Sequence, residues 1–134
     1  MEANRGRGNR VAVIDTNVLM YVFLNRVDVI SQLRELGFRR LIVPSSVVKE
    51  LENLSRSLRG KEKRAALFAL ELIEREGIEV VEVTKRRDEA VLELAEKLGG
   101  CVITNDKSLK RVARERGLPV GTLREGSYIE VTEF

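Results

Sequence analysis

The chain has 134 residues, with no histidine, no tryptophan, one cysteine, two prolines and only 4% aromatic residues. Each shortage narrows the chemistry open to it. Without histidine there is no imidazole base, no Ser–His or Cys–His nucleophile pair and no histidine-ligated zinc site. The single cysteine, Cys101, lies in the apolar run CVIT and has no internal disulfide partner, which suits a reducing compartment. No stretch approaches the roughly 18 apolar residues of a membrane span, and the leading MEANRGRGNR has no signal-peptide core. The expectation is a soluble, cytoplasmic protein with no membrane partner.

Charge is what the chain has in quantity: 34% Asp, Glu, Lys and Arg, with the signs nearly cancelling to a formal net charge of +3. With 43% apolar residues this length buries one core and leaves no room for two domains. The cations are clustered. Arg5, Arg7 and Arg10 lie in a Gly- and Arg-rich stretch, residues 1–10, expected to be a disordered basic arm ahead of a single domain over 11–134. Arg56, Arg59, Lys61 and Lys63 form a central group, and Lys107, Lys110 and Arg111 a late one. Such groups suit phosphate contacts in RNA, and they equally suit solvated helix faces balanced by glutamates.

Apolar runs at VAVI (11–14), LIV (41–43), IEVVEV (78–83), CVIT (101–104) and PVGTL (119–123) read as five strands, with YIEV (128–131) a candidate edge strand. Helical patterns fall between them, at 17–24, 27–37, from Ser45 to a break at Gly60, 61–76, 88–98 and 107–116. Strands alternating with helices imply parallel pairing and right-handed crossovers, hence a three-layer α/β/α sandwich on a mostly parallel five-stranded sheet. In such sheets ligands bind beyond the carboxyl ends of the strands.

Four acids fall there. Asp15 follows the first strand in VAVIDTN, and Asp106 follows the fourth in CVITNDKSL. Asp88 heads a helix three residues before Val91, and Glu50 flanks the stripe of Val47, Leu51 and Leu54. Taken singly, Asp15, Asp88 and Asp106 have an ordinary reading as caps, and Glu50 as a solvated helix position. Capping does not require four acids at one end of the sheet. A cluster of carboxylates suits a hard divalent cation, Mg²⁺ or Mn²⁺, which activates water and neutralises phosphate in phosphodiester hydrolysis. Thr16, Asn17, Ser46, Thr104 and Asn105 flank the acids and could hold them or metal-bound waters, or serve as turn residues.

The stretches VAVIDTNVLM, VPSSVVKELENL, RRDEAVLELAEKLGGCVITNDKSLKRVA and LPVGTLREGSYIEV resemble the PIN-domain ribonucleases over nearly all of the chain after residue 10. The resemblance implies a five-stranded parallel sheet, Mg²⁺ or Mn²⁺, single-stranded RNA as substrate, and Asp15, Glu50, Asp88 and Asp106 as the catalytic, metal-holding acids. It further implies a homodimer. Within the family, VPSSVVKEL, the helical hairpin and DKSLKR are more similar to archaeal relatives of the PIN proteins that process ribosomal RNA, with ribosome-assembly partners, than to VapC toxins with an antitoxin partner. A haloacid-dehalogenase phosphotransferase needs a second Asp where Asn17 stands, and a receiver domain needs an Asp at the end of the third strand, which reads EVTK. The rival of another class is a non-cleaving RNA-binding or assembly module with the same fold.

Overall fold

The computed structural model describes residues 10–132. Its elements run β1 (Arg10–Ile14), α1 (Thr16–Leu24), α2 (Val29–Glu35), β2 (Phe38–Pro44), α3 (Ser45–Ser57), α4 (Gly60–Arg75), β3 (Glu79–Val81), α5 (Arg87–Leu98), β4 (Cys101–Ile103), α6 (Lys107–Glu115), β5 (Val120–Arg124) and β6 (Tyr128–Thr132). The sheet has six strands in the order β3-β2-β1-β4-β5-β6. The first five pair in parallel, and β6 returns antiparallel along β5. The expected five-stranded sheet thus gains the edge strand foreshadowed by YIEV, because the short turn after Arg124 lets the chain fold straight back.

Alternation along the strands builds the two core layers. Ala12, Ile14, Leu41, Val43, Cys101 and Ile103 pack on the face covered by α1 to α4, with Leu19, Leu33, Leu51 and Leu72. Val11, Val13, Ile42 and Val102 pack on the opposite face against Val91, Leu92 and Ala95 of α5 and Leu109 of α6. Gly121 permits close approach on the first face, since a Cβ there would stand 2.7 Å from the Cδ1 of fully buried Ile103. Helix α5 stops because Gly99 takes a left-handed conformation at φ 64.

Several boundaries differ from expectation: β2 begins at Phe38 and not at 41, and α2 is shorter at both ends than 27–37. Arg10 heads β1, paired with Phe38 and with its guanidinium 4.5 Å from that ring, so the strand takes in a residue assigned to the arm. Residues 1–9, including Arg5 and Arg7, lie outside the described residues. Strand β3 spans three residues, not six, and Val80 on it stays half exposed, since the sheet ends there. Among the described residues no helix is long and apolar enough to cross a membrane.

The strand order places the site. From β1 the chain moves outward to β2 and β3, then crosses back to lay β4 on the other side of β1. The carboxyl ends of β1 and β4 therefore flank the switch point where connections diverge and leave a crevice. Helix α3 leans over that crevice through the buried Val47 and Leu51. Leu51→Ala, at a fully buried position, should cost about 2–5 kcal/mol of stability, read as a lowered urea midpoint with an unchanged slope.

Candidate active site

Asp15 leaves the sheet at the end of β1, where its backbone N–H still bonds the Ile103 carbonyl of β4 at 2.9 Å. Its carboxylate is partly buried and accepts three kinds of donor: the Thr16 backbone N–H at 2.9 Å, the Asn17 side-chain amide at 3.1 Å and the Thr104 hydroxyl at 2.7 Å. Two of those residues reach further acids. The Thr16 hydroxyl donates to Glu50 at 2.7 Å, and the Thr104 oxygen accepts the Asp106 backbone N–H at 3.0 Å. Thr16 and Thr104 are both buried. Glu50 of α3, Asp15 at the end of β1 and Asp106 after β4 are thus joined through two threonines.

Asp88 is placed differently. It lies in the first turn of α5, whose N-cap is Arg86 with no side-chain cap bond, so Asp88 is not the cap of its helix. Its side chain instead lines a cleft of about 600 Å³ shared with Asp15, Glu50 and Asp106. These four acids come from four parts of the chain to a single cleft, which Glu89 of α5, paired with Arg116, also lines. Among the described residues, none of the four is in an ion pair.

The supporting residues divide. Asn17 bonds Asp15 and accepts the Asn105 backbone N–H at 3.2 Å. Asn105 turns away from the acids: its Oδ1 accepts from the Thr122 hydroxyl at 3.0 Å and Leu123 N–H at 2.8 Å, pinning β5 beside β4. Ser46 bonds none of the acids, its buried hydroxyl having no partner among the described residues. None of Arg56, Arg59, Lys61, Lys63, Lys107, Lys110 and Arg111 lines the cleft. Lys110 reaches the Thr122 hydroxyl at 3.4 Å, and Arg56 bonds Asn53. The cations on the cleft wall are Arg86 and Arg87, in the run KRRD just before Asp88. Three consecutive bases ahead of a site acid were the available signal.

A family model described as a PIN like domain matches residues 12–126. The chain belongs to this family. Among curated proteins it is 57% identical to Ribonuclease VapC9 of Archaeoglobus fulgidus, over 98% of this chain and 97% of that one. It is 36% identical to Ribonuclease VapC4 of Methanocaldococcus jannaschii, over 89% of this chain and 94% of that one. A solved domain of a functionally unknown protein from M. jannaschii shares the fold, with a TM-score of 0.56 at 20% identity over 93% of this chain and 94% of that chain. The names of the two curated relatives favour the VapC side of the PIN-domain ribonucleases over the ribosomal-RNA-processing side.

The charge balance of this PIN-like site follows from its surroundings. Burial raises the Asp15 carboxyl above its ordinary value, opposed by the Thr104 and Thr16 bonds and reinforced by the charges of Asp88 and Glu50. Partial burial raises Asp88 too, with Asp106 and then Glu50 adding repulsion and Arg87 opposing it. Asp106 goes the other way. Its carboxylate caps α6 by accepting the Leu109 N–H at 2.9 Å and also takes the Ser108 hydroxyl at 2.8 Å, and these bonds hold its pKa down.

The donor set fits a hard divalent cation in kind, being all carboxylate oxygen with hydroxyl and amide support. Among the described residues, however, no three acidic side chains already stand as a metal-holding group. Asp106 is held onto its own helix by its bonds to Leu109 and Ser108.

A raised folded pKa gives stability that is full below the unfolded value and lost as pH rises through the folded one. Asp88 makes no hydrogen bond among the described residues, so Asp88→Asn removes its charge cleanly. Without metal the variant should match wild type near pH 3.5 and melt higher at pH 7. The gain should be about 1–4 °C, since exposed charge pairs are worth about 0.2–1 kcal/mol and 1 kcal/mol moves a domain of this size by about 4 °C. Thermal melts across that pH range check the sign; a variant melting lower at pH 7 contradicts it.

Proposed function

We propose that the chain is a divalent-metal-dependent endoribonuclease of the VapC type, hydrolysing phosphodiester bonds of single-stranded RNA with Mg²⁺ or Mn²⁺ and restrained in the cell by an antitoxin partner. The observation that carries this reading is the convergence of Asp15, Glu50, Asp88 and Asp106 on one cleft at the switch point of the sheet. The ribonuclease names of the two curated relatives support it. The ribosomal-RNA-processing reading has no comparable support.

Asp15, Glu50, Asp88 and Asp106 are the residues to hold the ion, Asp15 being oriented by Thr16, Asn17 and Thr104. A bound divalent ion supplies charge neutralisation at phosphate and a water of lowered pKa. The remaining work falls to the chain. Thr16 orients one Glu50 oxygen by its 2.7 Å bond and leaves the other open. Thr104 fixes the Asp15 carboxylate and the entry of α6 relative to each other, which limits how far these two acids must move to meet an ion. Arg86 and Arg87 lie on the same wall and attract the phosphodiester that the acids alone would repel.

Wild type should cut single-stranded RNA with Mn²⁺ and stop in EDTA. Glu50→Gln should lower the rate by about 10²-fold or more with little change in melting temperature. Induced expression without an antitoxin should arrest growth for wild type and not for Asp15→Asn. RNA cleavage unaffected by EDTA would contradict metal dependence, and arrest by both proteins would contradict toxicity through this site.

A further inference from the structure

The acidic cleft shares a wall with a second chamber of about 340 Å³, formed where α3 faces the segment joining β3 to α5. Lys49 and Asn53 of α3 line it, and Lys85, Arg86 and Arg87 face them across it. Glu50 is the one carboxylate in the lining, so four cations meet one negative charge. None of the four is in an ion pair among the described residues, whereas Arg34, Arg40, Arg116 and Arg124 elsewhere on the surface are each paired with a glutamate. Cations without an ion-pair partner that converge on a concave surface create a potential that an anion relieves.

Two independent features point to the same ligand class. The Ser46 hydroxyl, in the lining, is the one buried side-chain polar atom left without a hydrogen bond among the described residues. A buried hydroxyl in that state is destabilising, and an incoming acceptor offsets the cost. Both α3 and α5 begin at this chamber, and neither has a side-chain cap, so their first-turn N–H groups are open to an outside acceptor. The segment is also held in place: the Val83 N–H bonds the Ser45 hydroxyl at 3.1 Å, and Arg87 is kept at φ 54, a conformation uncommon outside glycine.

We propose that this chamber seats the backbone phosphate adjoining the one presented to the acids, so that RNA is gripped between α3 and the Lys85–Arg87 segment. The inference rests on the ribonuclease reading for its substrate, not for its chemistry of recognition. No aromatic ring lines the chamber. Base stacking, the usual source of single-strand affinity, is therefore absent there, and the contact is to the backbone and indifferent to sequence. The shared residues Glu50, Arg86 and Arg87 make the chamber continuous with the cleft.

Fluorescence anisotropy of a 2′-O-methyl single-stranded oligonucleotide, in EDTA and across a salt series, tests this without cleavage. Lys49→Gln/Lys85→Gln should weaken binding at least fivefold and flatten the salt slope by roughly 0.7 for each phosphate no longer neutralised. Arg56→Gln/Lys61→Gln, away from the chamber, should change neither. Ser46→Ala should lower affinity while leaving the melting temperature equal or higher, which a purely structural serine would not do. A single methylphosphonate moved along the oligonucleotide should weaken wild-type binding at one position and be silent there in the double variant. That position dependence separates a backbone phosphate from a free-phosphate site, for which inorganic phosphate would compete but no position would matter. An unchanged slope in Lys49→Gln/Lys85→Gln overturns the proposal even if RNA is cut. The expected flattening in a protein that never cuts RNA would leave the chamber standing and sink the ribonuclease reading.

Discussion

The carboxylate of Asp15 sits at the carboxyl end of the central strand, partly withdrawn from water, and the site is organised around the donors that make its charge tolerable there. Its backbone still belongs to the sheet through Ile103, while its side chain takes bonds from Thr16, Asn17 and Thr104. Burying a charge is costly unless hydrogen bonds replace the lost water. Two of those residues also reach further acids: the Thr16 hydroxyl donates to Glu50, and the Thr104 hydroxyl oxygen accepts from the backbone of Asp106. Satisfying one buried carboxylate thus fixes the positions of two others. The strand order makes this possible, because β1 and β4 are neighbours whose chains leave the sheet toward different layers.

The acids are not equivalent. Asp15 and Asp88 are pushed toward the neutral form, by burial first and by neighbouring charge after it. Asp106 is pulled toward the charged form by its bonds at the start of α6. Asp106 is therefore both a helix cap and a wall of the cleft, two roles that are alternatives only if a carboxylate has one oxygen to offer: Oδ1 caps and Oδ2 remains available. Basic residues counter the negative cleft from one side only. Arg86 and Arg87 line it, and with Lys49 and Lys85 they continue into the adjoining chamber, giving the site an acidic centre and a cationic flank.

Much of this was legible in the sequence. The β-branched runs at 11–14, 41–43 and 101–103 became central strands because their alternate residues have a core on each side. The order of acids after strands located Asp15 and Asp106, and the apolar stripe of α3 located Glu50. Asp88 was harder, because a first-turn aspartate also reads as a cap; the structure puts Arg86 at the cap position and Asp88 on the cleft. The cationic wall is hidden in the sequence for a related reason. Charge clusters stand out in long stretches such as 56–64, whereas Lys85–Arg87 is three residues whose importance comes from where β3 ends and α5 begins. Ser46 and Asn105, read either as support for the acids or as turn residues, have side chains that bond none of the acids. Proximity in sequence to an acid suggested support for it, but alternate side chains at a helix start or strand end point to different neighbours.

We propose that Asp15, Glu50, Asp88 and Asp106, which line one cleft, bind a divalent cation once their side chains are drawn together. Anomalous scattering from crystals soaked in Mn²⁺ tests it most directly. A manganese peak is expected inside the cleft, ligated by at least two of Asp15, Glu50, Asp88 and Asp106, with the side chains drawn inward. A cleft without manganese at a concentration that supports RNA cleavage, or a peak held by other residues, would contradict it.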